Sequence, residues 1–122
     1  MERIVGIDVS KDWLDVHVLT SGEALRVGND HAGMDELISR LGRDAPDVVA
    51  LEATGGLEMV CVAALSAAGL RVIIVNPAQV RSYASALGKR AKTDPIDAAV
   101  IAAFVKATQP EIRPLADAAT RA

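Results

Sequence analysis

The chain has 122 residues, of which 51% are apolar and 24% charged, as expected for one domain around a single buried core. Its formal net charge of -3 excludes the strongly basic profile of a protein that binds nucleic acid through charge alone. The aromatic content of only 2% favours a core of Val, Ile, Leu and Ala, and therefore helices layered on a sheet rather than an aromatic-rich barrel.

The sequence also indicates the cellular compartment. The single cysteine, Cys61, excludes an internal disulfide bond and is expected to be a buried side chain in a reducing environment. No apolar run approaches the roughly 20 residues that a membrane-spanning helix needs. We therefore expect a cytoplasmic protein with no membrane segment.

The chain is predicted to begin with three strands joined by short turns, over residues 3–9, 13–19 and 24–27. The second strand alternates apolar residues on one face with Asp15 and His17 on the other. Strands joined in this way form an antiparallel meander.

Helices and strands then alternate. Asn29 or Asp30 is predicted to cap a helix that runs to about Leu41 and ends at Gly42, and residues 47–51 form a fourth strand. The next helix is predicted to end at Gly69 and to carry a single apolar stripe made of Leu57, Val60, Cys61, Ala64, Leu65 and Ala68.

A fifth strand is predicted over residues 70–75, and Asn76 and Pro77 open a helix that runs to about Leu87. The last helix, over 94–107, is apolar on more than one side, so we expect it to be deeply buried or to present an apolar side to a missing partner. Residues 1–107 would then form one domain and 108–122 a linker.

This order of elements predicts an α/β protein of the RNase H-like class. That fold has a mixed five-stranded sheet with helices on both faces, and its fourth strand lies parallel to the first.

Four acidic residues stand where such a fold can bring them together, and we call them the carboxylate tetrad: Asp8, Glu52, Asp94 and Asp97. Asp8 and Glu52 are placed at the carboxyl ends of two strands, where open α/β sheets bind ligands. Asp94 and Asp97 are three residues apart and would share one helix face. Crowded carboxylates repel one another, but Mg²⁺ or Mn²⁺ prefers oxygen ligands, and two such ions can promote phosphoryl transfer.

Cations precede the last pair of acids, and we call them the basic segment: Arg81, Lys89, Arg90 and Lys92. No acidic residue interrupts them from Arg81 to Thr93. We expect this segment, together with Lys11 after the first strand, to contact nucleic-acid phosphates.

Each signal also has a purely structural interpretation. Asp94 can be a helix cap, with Asp97 as an acid in the first helical turn. Asp8 and Glu52 can end strands in polar turns, and Lys11 can be an ordinary surface lysine.

The combination resembles a known family. The relevant strings are Gly6-Ile7-Asp8-Val9-Ser10-Lys11, Glu52-Ala53-Thr54-Gly55-Gly56, Val75-Asn76-Pro77 and Lys92-Thr93-Asp94-Pro95-Ile96-Asp97-Ala98. They resemble the amino-terminal RuvC-like domain of DEDD transposases of the insertion sequence one-ten family, which includes the Piv invertases.

The resemblance implies that the carboxylate tetrad is catalytic and holds Mg²⁺ or Mn²⁺, as two ions, for DNA cleavage and strand transfer. It also implies a second domain with a serine nucleophile, a homo-oligomer in the full-length protein and, in several members, a guide RNA. The isolated domain is then expected to be inactive.

Three alternatives remain open at this stage. A Holliday-junction resolvase would share the fold and the metal chemistry. An actin-like or sugar-kinase-like fragment would bind a nucleotide after its first strand. A binding-only module would use the acids structurally.

Overall fold

The structure, a computed structural model, describes residues 3–88 and 97–109. In these ranges the strands are β1 (Ile4–Val9), β2 (Trp13–Val18), β3 (Glu23–Gly28), β4 (Val48–Glu52) and β5 (Val72–Val75). The helices are α1 (His31–Asp44), α2 (Met59–Ala67), α3 (Pro77–Ala86) and α4 (Ala98–Thr108).

The strands form one five-stranded sheet in the order β3-β2-β1-β4-β5. The β1-β2 and β2-β3 pairs are antiparallel, whereas β1-β4 and β4-β5 are parallel. This confirms the predicted mixed sheet and the parallel placement of the fourth strand beside the first. The carboxyl ends of β1, β4 and β5 therefore lie at the same edge of the sheet.

Helices cover both faces of the sheet, as predicted. On one face, apolar side chains of β1, β2 and β4 pack against α1 and α2 around Leu37, Leu41 and Leu65. On the other face, Ile4, Val48 and Ala50 pack against α3 and α4. Because side chains alternate along a strand, each residue of β1 and β4 can be assigned to one of these two faces.

Gly6 allows α4 to pack very close to the centre of the sheet. A Cβ atom at this position would lie 2.1 Å from the carbonyl oxygen of Ala98 and 2.9 Å from the amide nitrogen of Ala102. Both neighbours are backbone atoms, so no side-chain rearrangement could relieve the clash. A glycine in β1 thus fixes the position at which α4 begins.

The predicted start of α1 is confirmed, but its predicted end is not. Asp30 caps the helix, since its side chain accepts a hydrogen bond from the amide of Gly33. The predicted stop at Gly42 is wrong, because α1 continues to Asp44 and ends at Ala45 in a left-handed conformation. The amide of Ala45 bonds the carbonyl of Leu41, which closes the last turn.

The single apolar stripe predicted for α2 is also wrong. Leu57 precedes the helix and is 45% exposed, while Val60 is 63% exposed. The buried residues of α2 are Cys61, Val62 and Leu65. The buried position predicted for Cys61 is confirmed.

The last helix begins later than predicted. Asp97 has an extended backbone and is the cap of α4, so it stands before the helix rather than within it. Apolar residues of α4, among them Ile101, Phe104 and Val105, are buried against the sheet, so of the two predicted alternatives the structure shows the deeply buried helix. Most of the predicted linker, residues 108–122, lies outside the described residues.

Within the described residues, no helix is both long and apolar enough to cross a membrane.

Candidate active site

Asp8 and Glu52 lie on the same face of the sheet, at its carboxyl edge. Where β1 pairs with β4, the last pair is Ile7 with Leu51, and Asp8 and Glu52 are the residues that follow directly. Asp8 shares its face with Ile4 and Gly6, which pack against α4. Glu52 alternates in the same way with Ala50. Both carboxylates are partly buried and belong to adjacent strands.

Asp97 joins them through the packing of α4. Its side chain accepts a hydrogen bond of 2.9 Å from the amide of Val100, which caps the helix. The next residue, Ala98, is the one whose carbonyl rests against Gly6, two positions before Asp8 in β1. The close approach at Gly6 therefore holds the Asp97 carboxylate beside the end of β1.

The electrostatics show that Asp8 interacts with both Asp97 and Glu52. Burial raises the pKa of Asp8, and the negative charges of Asp15 and Asp97 raise it further. Burial likewise raises the pKa of Glu52; Arg81 opposes this shift and Asp8 adds to it. Ionisation of these carboxylates is therefore disfavoured, and a bound cation would stabilise their ionised form.

The loop after Glu52 is held by an acid that sequence reasoning did not assign. The Glu58 side chain is only 7% exposed and accepts hydrogen bonds from the hydroxyl and amide of Thr54 and from the amide of Gly56. Its bond to the Thr54 hydroxyl is the main cause of a lowered pKa. Glu58 thereby fixes the turn that follows the Glu52 carboxylate.

The predicted cations are only partly described. Lys11 is exposed in the turn between β1 and β2. Arg81 is exposed on α3, and its charge acts on Glu52. Asp94, Lys89, Arg90 and Lys92 lie outside the described residues.

The donor chemistry fits a divalent ion, but the ligand set is incomplete. Within residues 3–88 and 97–109, no three His, Cys, Asp or Glu side chains are close enough to hold a metal ion on their own. The described members of the carboxylate tetrad supply oxygen ligands, which hard cations such as Mg²⁺ prefer. The fourth ligand assigned by the sequence, Asp94, is outside these ranges.

Asp15 and Arg26 are neighbours of the site that the sequence analysis did not connect to it. Asp15 is the direct partner of Asp8 in the β1-β2 ladder, and Arg26 is the partner of Asp15 in the β2-β3 ladder. The length of the turn between β1 and β2 was the available signal, because it fixes the register that places Asp15 opposite Asp8. Assigning that register would have placed a further charge beside the predicted site.

Comparison with known proteins gives one family and one fold. The model of the DEDD transposase family of IS110 type, described as a transposase, matches residues 5–122. The structure of T. thermophilus RuvC in complex with a Holliday junction substrate is similar, with a TM-score of 0.59, 20% identity, and coverage of 94% of this chain and 100% of that chain.

A second Thermus thermophilus RuvC structure also has a TM-score of 0.59 and 20% identity, and covers 92% of this chain and 99% of that one. At this identity the likeness shows the fold, and it confirms the RNase H-like prediction. No curated protein matches the chain significantly.

Proposed function

This chain belongs to the DEDD transposase family of IS110 type, as a catalytic domain, and from that premise we propose that its carboxylate tetrad holds divalent metal ions during DNA cleavage and strand transfer. The observation that supports the proposal is that Asp8 and Glu52 end adjacent strands at one edge of the sheet and that the charge of Asp97 acts on Asp8. Partly buried carboxylates arranged in this way repel one another, and a bound cation would offset that repulsion.

The reaction is the displacement at phosphorus that breaks a phosphodiester bond. A hydroxyl oxygen loses its proton and forms the new bond to phosphorus, while the bond to the leaving oxygen breaks and that oxygen takes up a proton. Mg²⁺ or Mn²⁺, as two ions held by the tetrad, would activate the nucleophile and stabilise the leaving oxygen. The protein itself fixes the ligands on two strands and a helix cap, which makes the site rigid.

The cations near the site orient the DNA. Arg81 already acts on Glu52, and a phosphate brought close to the metals would lie within reach of the same guanidinium. Lys11 lies in the turn directly after β1, and we expect it to contact a phosphate of the same DNA strand. Lys89, Arg90 and Lys92 complete the basic segment in this proposal, by their place in the sequence.

The nucleophile is proposed to be a serine of a separate domain, as the family resemblance implies. In that case the 122-residue chain binds metal and DNA but does not cut. A homo-oligomer of the full-length protein, a guide RNA and a cytoplasmic location belong to the same proposal.

Neither the nucleotide-binding fragment nor the resolvase, two of the alternatives from the sequence, is favoured. The transposase family model covers nearly the whole chain and leaves no part for a nucleotide-binding fragment. The only support for the resolvase alternative is the fold that the chain shares with RuvC.

Calorimetric titration with Mn²⁺ tests the proposal. The unchanged chain should bind Mn²⁺, whereas Asp8→Asn and Asp97→Asn, which preserve side-chain shape and remove one charge each, should weaken binding at least about tenfold. Asp35→Asn is the matched control, because Asp35 is exposed on α1, which packs on the opposite face of the sheet. Equal Mn²⁺ binding by all four proteins would remove the metal site from this account.

A further inference from the structure

Within residues 3–88 and 97–109, the helices do not fully cover the face of the sheet that carries the carboxylates. The main contacts of α4 with the sheet are made to β1, β2 and β4, while Ala24 and Arg26 on β3 are exposed. A groove of about 430 Å³ runs between the start of α4 and the β2-β3 hairpin, and its lining includes Asp15, His17, Ala24, Arg26, Asp97 and Ala98.

The groove opens beside the carboxylate cluster. Asp97 forms part of its wall, and Asp15, which also lines it, is the strand partner of Asp8. The charges of both residues act on Asp8. A strand of DNA with a phosphate at the carboxylates would therefore place a neighbouring nucleotide at this groove.

Arg26 is held in a fixed orientation over an exposed aromatic ring. Its Nε and Nη2 atoms donate hydrogen bonds of 2.7 and 3.1 Å to the two carboxylate oxygens of Asp15. Its guanidinium carbon lies 5.3 Å from the ring centroid of Trp13. The bidentate pairing fixes the plane of the guanidinium.

Trp13 is unusually exposed for its size. It is 47% exposed, at the start of β2, on the same sheet face as Asp15 and His17. Large aromatic side chains bury most of their surface unless a partner covers them. The exposed indole is thus the direct neighbour of the fixed guanidinium, which lines the groove.

We propose that this groove binds one unpaired nucleotide of the DNA strand next to the cleaved phosphate, with its base stacked on the Trp13-Arg26 pair. The inference rests on the proposed function, because it takes the carboxylates as the site of phosphate chemistry. Bases stack on aromatic rings and on guanidinium planes whatever their sequence, and the charge of Arg26 offsets part of the repulsion between Asp15 and the DNA strand. The groove volume suits a single nucleotide rather than a duplex, whose paired bases would not reach the ring.

Trp13 is the only tryptophan of the chain, so its fluorescence reports on the surface directly. The probes are two duplexes with a short single-stranded extension, identical except that one carries abasic sites in the extension. With Ca²⁺ present, the duplex with bases should quench Trp13 and bind about 5- to 100-fold more tightly than the abasic one, as expected for one stacked base. Equal affinity of the two duplexes without quenching, or no binding of either, would overturn the proposal.

Variants distinguish a loss of base stacking from a loss of charge and from a failure to fold. Trp13→Ala should bind both duplexes alike, at the affinity of the abasic one, while Trp13→Phe should keep part of the difference. Arg26→Lys keeps the charge but loses the planar pairing, and should reduce the difference. Arg71→Ala, which removes an exposed cation just before β5 at the opposite edge of the sheet, should change neither affinity. Urea unfolding of each variant identifies any that fail to fold.

Mn²⁺ titration distinguishes the two proposals. If Mn²⁺ binds in an Asp8-dependent manner while the two duplexes bind alike, the nucleotide site is wrong and the proposed function stands. If Asp8→Asn leaves Mn²⁺ binding unchanged, the proposed function is wrong, whatever the oligonucleotides do.

Discussion

Asp97 has two roles that a pair of substitutions can separate. It caps α4 by accepting a hydrogen bond from Val100, and it adds a charge to the cluster at Asp8. Asp97→Asn keeps a good cap, whereas Asp97→Ala removes it at a cost of about 0.5–2 kcal/mol. We therefore expect Ala, but not Asn, to lower the free energy of unfolding in urea, while both lose Mn²⁺ affinity. Unchanged stability of Asp97→Ala would contradict the capping role.

Asp8 should make the metal-free protein less stable as the pH rises. Its pKa in the folded state is raised above the unfolded value, so the folded state binds more protons between the two values and loses stability there with increasing pH. We expect Asp8→Asn to be more stable than the unchanged chain at pH 7 without metal. This advantage should shrink as the pH falls through the raised folded-state pKa and should be lost below the unfolded pKa, near 4.

Thermal unfolding with and without Mn²⁺ measures the effect. A ligand that binds only the folded state stabilises it, so Mn²⁺ should raise the melting temperature of the unchanged chain at pH 7 and leave that of Asp8→Asn nearly unchanged. Greater stability of the unchanged chain at pH 7 in the absence of metal would contradict the assigned repulsion.

At the scale of elements, Gly6 determines where α4 begins. Gly6→Ala places a Cβ atom against the backbone of Ala98, so we expect it to lower the free energy of unfolding by about 1–3 kcal/mol or more and to displace Asp97 from Asp8. Urea unfolding and Mn²⁺ titration would measure the two effects.

Gly42→Ala is the matched control. Gly42 lies within α1 and a Cβ atom there meets nothing within 4 Å, so alanine should raise stability by about 0.5–1 kcal/mol through helix propensity. A Gly6→Ala variant as stable as Gly42→Ala would show that the close approach is not needed.

The strands were predictable from sequence because each alternates or is continuously apolar in a short run. The ends of the helices were less predictable from the sequence. Gly42 is typical of a helix stop, but Ala45 adopts the left-handed conformation instead. The apolar residues of α2 lie all around the helix, so no periodicity distinguishes the buried Val62 from the exposed Val60.

At the scale of the molecule, the candidate site was predictable to the extent that it follows from topology. Parallel β1 and β4 bring Asp8 and Glu52 to one edge, and that arrangement needs only the strand order. Asp15 and Arg26 were not connected to the site, because their place depends on the register of a hairpin. The position of Asp97 depends on a glycine in β1, a contact between residues distant in sequence.

The net charge of -3 is consistent with this arrangement. The acidic residues at one edge of the sheet contribute to the negative net charge, and the same residues can bind cations. A protein with this charge would therefore depend on divalent ions to approach DNA, and its DNA affinity should rise when Mn²⁺ is added.

Diffraction from crystals of the chain soaked in Mn²⁺, recorded at a wavelength where manganese scatters anomalously, tests the central claim most directly. The account predicts anomalous peaks within coordination distance of the carboxylates of Asp8, Glu52 and Asp97, and none in crystals of Asp8→Asn. Manganese bound elsewhere on the surface, with these three carboxylates free of it at saturating concentration, would contradict it.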